Sequence, residues 1–213
     1  MRGLFITGTD TGVGKTRIAC VIARTWRAER RNFRVMKPTA TGDGEDTRAL
    51  SAAAGDPEYT SITPFTFKAP AAPPVAARLE GKELSLAEII ESINRRADGA
   101  EAMLIEGVGG LLCPLTETQT VADLIVALGF PAVVVARRAL GTLNHTLLTL
   151  EVARNRGLNI CGVIVSETNP PVEIADQTNV AELQKRCRVL GVMPFGAETL
   201  EINWWSLIGG NVK

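Results

Sequence analysis

The stretch Gly8-Thr9-Asp10-Thr11-Gly12-Val13-Gly14-Lys15-Thr16 constrains this chain more than any other. It follows the apolar run Leu4-Phe5-Ile6 and leads directly into a helical segment from Arg17 to Arg24. A glycine-rich turn between a buried strand and a helix aims backbone N–H groups at an anion, and the helix adds its positive end. In such a loop the lysine, here Lys15, reaches the terminal phosphates, and the hydroxyl after it, here Thr16, takes a place on Mg²⁺. Five residues separate Gly8 from Gly14, one more than in the common form of the motif. The expectation is a nucleotide phosphate site on an α/β scaffold.

The rest of the chain fits that scaffold. Short runs rich in valine and isoleucine recur at Leu4–Ile6, Arg34–Met36, Ala102–Ile105, Ala132–Ala136, Gly162–Val165 and Val189–Val192. Runs of this kind suit parallel strands buried on both faces. Between them lie helical patterns. Ser85 with Glu88 reads as a capping box, followed by Leu86, Ile89, Ile90 and Ile93 at helical spacing. Leu143, Leu147 and Leu150 mark another helix. The alternation predicts a three-layer α/β fold of the P-loop NTPase-like kind, with a mostly parallel central sheet flanked by helices. One domain over residues 1–213 is expected, with a proline-rich connector near 56–75, long enough to be a functional loop. An apolar tail near 197–213 carries Trp204 and Trp205, which are expected to pack on the body or on a partner.

Composition narrows the function classes. The 213 residues carry 23 Lys+Arg against 23 Asp+Glu, so the basic footprint that dominates nucleic-acid affinity is missing. The longest apolar stretch, Val121 to Ala136, is broken by Asp123, Gly129 and Pro131 and falls short of the ~18–20 residues a membrane span needs. Met1-Arg2-Gly3 runs straight into a strand-like segment without a cleavage-site pattern. The cysteines at 20, 113, 161 and 187 form no CxxC and read as small thiols of a reducing cytoplasm.

Further chemistry gathers at the predicted strand ends. Glu106-Gly107-Val108-Gly109-Gly110 follows the strand at Ala102. An acidic residue there, beside a phosphate loop, is placed as a metal ligand, and the glycines let backbone approach a ligand. Lys37-Pro38 ends the second strand and points a second ammonium at the same crevice, as phosphoryl transfer requires. Spacing alone leaves Asp43, Glu45 and Asp46 equally eligible as a further acid. His145 lacks cysteine or carboxylate companions at metal-ligand spacing and reads as a polar residue near a helix start.

Taken together, Gly8-Thr9-Asp10-Thr11-x-Val13-Gly14-Lys15-Thr16, Lys37-Pro38-x-x-Thr41-Gly42, Glu106-Gly107-x-Gly109-Gly110 and Leu140-Gly141-x-x-Asn144-His145 resemble the dethiobiotin synthetase family, collinearly over residues 2 to 196. The resemblance implies ATP-dependent ring closure of 7,8-diaminopelargonic acid with CO2 or bicarbonate, through a carbamate and its phosphoric anhydride. It implies Mg²⁺ held by Thr16, Asp46 and Glu106, which settles the choice among the three acids. Gly12, Val13, Gly14, Lys15, Thr16 and Arg17 would wrap the phosphates, with Lys37 and Lys15 as the catalytic cations. Thr11, Thr41, Gly109, Gly110 and Asn144 would lie along the diamine. Gly107, Val108, Ser166, Glu167, Pro194, Phe195 and Gly196 would complete the nucleotide site. A homodimer is also implied, with substrate near the subunit boundary, which would give the apolar tail a place to go.

Two departures stand out. Ser166 occupies the place of the family's base-reading asparagine, and a serine cannot both donate to and accept from adenine with an amide's reach. Relaxed use of other triphosphates is therefore expected. The family's common Ser-Pro-His reads Ala72-Pro73-Pro74 here. Two other kinds of protein share the phosphate loop. Amide-forming synthetases of corrin biosynthesis usually need a glutaminase domain that 213 residues cannot hold. Partitioning-type ATPase switches usually carry a second loop lysine where this chain has Asp10 and Thr11.

Overall fold

The computed structural model describes residues 1–208. Strand β1 (Arg2–Gly8) feeds the glycine-rich loop and helix α1 (Lys15–Ala28). Strands β2 (Phe33–Met36), β5 (Ala102–Glu106), β6 (Ala132–Arg137), β7 (Ile160–Ser166) and β8 (Val189–Met193) complete a six-stranded sheet in the order β2-β5-β1-β6-β7-β8. Every pairing in it is parallel. All six strands expected from the apolar runs are present. Their near-continuous hydrophobicity has a simple cause, since both sheet faces are covered.

Side chains alternate between those faces. Leu4, Ile6, Val35, Leu104, Val133 and Ile164 pack beneath α1 and helix α2 (Glu45–Ala54), with Trp26 and Leu50 in the same cluster. On the opposite face, Phe5, Met36, Met103 and Ile105 meet Ile89 and Ile93 of helix α5 (Leu86–Arg96) and Leu124 of helix α6 (Val121–Leu128). Val134, Ala136, Val163 and Val165 on that face meet helix α7 (Thr142–Asn155) and helix α8 (Ile174–Gln184). Burying each such side chain contributes ~1.5–3 kcal/mol. The Ser85–Glu88 capping box forms as expected. Helix α1 runs longer at both ends than the expected Arg17–Arg24.

The region read as a connector is a correction. Residues 56–75 contain helix α3 (Tyr59–Ile62), strand β4 (Phe65–Phe67) and the start of helix α4 (Pro73–Leu79). Strand β4 pairs in parallel with β3 (Thr39–Thr41), forming a second, two-stranded sheet. Pro73 and Pro74 sit in the first turn of α4, where a missing N–H costs nothing.

The tail also finds its place on this chain's own body. A 3₁₀ turn over Trp204–Ile208 sinks Trp204 completely, and Leu207 and Ile208 join the α1-side core. Trp205 meets Trp26 edge-on at 5.1 Å between ring centres, with Arg31 stacked 4.7 Å over its ring. The described tail thus needs no partner to cover it. Residues 209–213 lie outside the described residues. All four cysteines are free thiols; Cys20 and Cys161 are buried, and Cys113 and Cys187 are half-buried.

Candidate nucleotide and metal site

Sheet register brings the site together. Ile6 lies opposite Glu106, and Met36 opposite Ile105, so Lys37 emerges abreast of Glu106 at the carboxyl edge of the sheet. Two residues past Leu104, Glu106 falls on the face that α1 covers. The phosphate loop curls over that edge. Gly12 and Gly14 take φ of +71° and +98°, conformations that glycine adopts without strain. At Gly14 a Cβ would lie 2.6 Å from Ser166 Oγ, so space as well as conformation demands glycine there. No side chain caps α1, and its first turn carries no acid. Its N-terminal N–H groups are left for an anion.

Five polar side chains converge under the loop. Lys37 Nζ donates to Asp46 Oδ2 at 2.5 Å and to Glu106 Oε1 at 2.7 Å. Thr16 Oγ1 lies 2.7 Å from Asp46 Oδ1 and 2.5 Å from Glu106 Oε1. Lys15 Nζ donates to the carbonyl of Asp10 at 2.8 Å. The Lys37 side chain is 4% exposed, that of Glu106 is fully buried, and that of Asp46 is half-exposed. Burial pulls the Lys37 ammonium down, but the Glu106 and Asp46 charges together outweigh it and leave it raised. Burial pushes Asp46 up, yet the Lys37 charge and the hydrogen bonds from Lys37 and Thr16 hold it below the usual carboxylate value. Lys15 is lowered chiefly by burial, against the Glu106 charge.

Above this cluster opens a cleft of about 770 Å³, walled by the phosphate loop on one side and by Pro70–Pro73 on the other. Thr16, Asp46 and Glu106 suit Mg²⁺. They offer hard oxygen donors, and Glu106 Oε2 is buried with no hydrogen-bond partner. Two carboxylates and a hydroxyl are few ligands, as befits a metal that keeps waters and binds phosphates.

A curated relative, the ATP-dependent dethiobiotin synthetase BioD of Anaeromyxobacter dehalogenans, is 47% identical over 190 residues, 87% of this chain and 85% of its own. The chain belongs to the dethiobiotin synthetase family. Synthetases of the same name from Bacillus velezensis and Bacillus subtilis are 39% and 38% identical, each over 91% of this chain and 87% of their own. A family model described as an AAA domain matches residues 2–201. The kinase domain of the Escherichia coli tyrosine kinase ETK shares the fold at a TM-score of 0.50 and 18% identity, over 78% of this chain and 67% of that one. The chain is accordingly an ATP-dependent ligase of the dethiobiotin synthetase type, and neither rival reading of the phosphate loop is favoured.

Not every residue carried over from the dethiobiotin synthetase pattern faces the cleft. Thr11, Gly12, Gly14, Lys15, Thr16, Arg17, Lys37, Thr41, Asp46, Glu106, Val108 and Gly109 line it. Val13 is a core residue, 1% exposed, and is not among the residues lining the cleft. Gly107 packs on Phe5, and Gly110 packs on the backbone of Thr9. Asn144 is exposed on the first turn of α7, outside the cleft. Neighbouring His145 borders a small hollow on the far side of the phosphate loop, with Thr9 and Asp10.

Three side chains are held in ways the sequence did not show. Ser166 is fully buried at the end of β7 beside Gly14, and its Oγ has no hydrogen-bond partner among the described residues. Glu167 is committed as well: it pairs with Arg138 and accepts the Phe195 N–H at 2.9 Å. Arg17 uses its guanidinium on the carbonyls of Glu167 (3.0 Å), Ala197 (2.7 Å) and Pro194, tying α1 to the 194–197 loop. The sequence also gave no sign of Cys113 in the cleft, where burial raises the thiol against the Lys15 charge.

Proposed function

We propose that this protein joins 7,8-diaminopelargonic acid and CO2, at the expense of ATP, into dethiobiotin, ADP and phosphate, and does so in the cytoplasm. The observation that carries the reading is the meeting of Lys15, Thr16, Lys37, Asp46 and Glu106 beneath one glycine-rich loop. The triphosphate lies along Gly12–Arg17, with backbone N–H groups and the Lys15 ammonium on its oxygens. Thr16, Asp46 and Glu106 would hold Mg²⁺, which would neutralise charge on the transferred phosphoryl group. A carbamate on one amine of the diamine lies beside Thr41 and Gly109, its oxygen in line with the γ-phosphorus. Lys37 faces the transferring oxygens and stabilises the charge they spread. The second amine then attacks the activated carbonyl and expels phosphate. The substrate supplies the nucleophile at both steps, so the site needs no activated serine, cysteine or histidine.

A second copy of the chain completes the picture. Leu140 and Leu148 stand 88% and 58% exposed on either side of Asn144. Covering that surface in a homodimer would bury them and bring Asn144 toward a substrate. Incubation with isotope-labelled bicarbonate tests the reading. Dethiobiotin carrying the label in its ureido carbon is expected by mass spectrometry, and hydrolysis of ATP without any cyclic urea would overturn it.

A further inference from the structure

Thr16 Oγ1 lies between Asp46 Oδ1 and Glu106 Oε1, at 2.7 and 2.5 Å, and it has one proton to give. One carboxylate receives that proton, and the lone pairs of the other face a lone pair. Two carboxylates sharing one hydroxyl both stay charged only when a cation lies between them; otherwise one takes up a proton. Lys37 Nζ is that cation, at 2.5 and 2.7 Å from the same pair. Among the described residues no other cationic side chain bonds either carboxylate. With Lys15 nearby, the charges of Asp46, Glu106, Lys37 and Lys15 cancel, leaving nothing to attract a bare dication.

We propose that Lys37 is a resident counter-cation that competes with Mg²⁺ for Asp46 and Glu106, so that metal enters effectively only with a triphosphate. This inference rests on the metal site assigned above. A dication arriving alone would meet two ammonium groups head-on. A dication arriving with a triphosphate brings oxygens that accept Lys37 and Lys15, and the exchange stays balanced. The same exchange delivers the Lys37 ammonium from the carboxylates to the phosphoryl oxygens. Metal and nucleotide therefore bind with reciprocal coupling, and Lys37 is the residue that sets it.

Mn²⁺ binding to the intact protein, followed by the loss of the free-ion paramagnetic resonance signal, tests this. Without nucleotide, Lys37→Met is expected to bind Mn²⁺ at least ~10-fold more tightly than wild type, and Lys37→Arg, which keeps the charge, to stay weak. With a non-hydrolysable ATP analogue present, which itself binds Mn²⁺, protein-bound metal is counted after ultrafiltration, and wild type and Lys37→Met are expected to converge. Thermal unfolding is the second readout, and Lys37→Gln the second variant should the methionine variant fold poorly. Mn²⁺ should raise the midpoint of an uncharged variant more than that of wild type. Equal or weaker Mn²⁺ binding by both uncharged variants overturns the inference while leaving the proposed function standing. Failure of wild type to bind Mn²⁺ even with the analogue removes the metal site and the inference together.

Discussion

Glu106→Gln alters charge at a fully buried position while keeping the shape of the side chain. In wild type, Oε1 accepts from Thr16 and Lys37, and Oε2 has no partner among the described residues. The glutamine carbonyl can replace Oε1, so both of those donors keep an acceptor. Its amide then occupies the Oε2 position, presenting donors where a cation is wanted. One unit of charge ~4 Å from a divalent ion is worth about 8 kcal/mol at an effective dielectric constant near 20. The metal keeps Asp46, Thr16 and the phosphate oxygens, so roughly a quarter of that should survive as a loss: about 2 kcal/mol, or ~30-fold in metal requirement. The assay is initial rate against free Mg²⁺ at saturating ATP and diamine, with folding checked by circular dichroism. A half-saturating Mg²⁺ concentration equal to that of wild type, in folded protein, would remove Glu106 from the metal site and refute the reasoning.

Other expectations follow from the same geometry. Lys15→Ala should lower turnover by ~10³ or more, because a buried phosphate-facing charge is lost; a loss under tenfold in phosphate release would contradict its role. Because Ser166 is buried and Glu167 is occupied, GTP and CTP should support turnover within ~100-fold of ATP, less than about 2.7 kcal/mol of discrimination; competition kinetics between the triphosphates measures it. Trp204→Ala should cost ~3–5 kcal/mol of stability through the cavity it leaves, read as a lowered urea midpoint. Asp46 is held below its ordinary 3.8, so its contribution to stability is present above that value and lost as pH falls through the lower folded value. Urea titrations between neutral and strongly acid pH should show Asp46→Asn less acid-sensitive than wild type.

The sequence made the sheet legible because its strands are buried on both faces, and continuous apolar runs survive without tertiary context. Glu106 and Lys37 were legible for a related reason: a polar residue ending such a run must lie at the sheet's carboxyl edge. The small sheet of Thr39–Thr41 and Phe65–Phe67 was not, because three residues carry too little periodicity and their partners lie far apart in sequence. Pro70–Pro73 read as a connector, although it forms a wall of the cleft and begins a helix. Prolines suit a first helical turn as well as a loop, and only packing distinguishes the two. The burial of Ser166 depends on its contact with Gly14, a distant pairing that no local pattern encodes. The bonds from the Arg17 guanidinium to the carbonyls of residues 167, 194 and 197 were hidden for the same reason, since they join α1 to segments far away in the chain.

Steady-state phosphate release, with diamine and bicarbonate omitted in turn, tests the central claim most directly. Rapid release is expected only when ATP, magnesium, diamine and bicarbonate are all present, with a fall to background when either carbon substrate is withheld. Release that continues at the full rate without the diamine would contradict it.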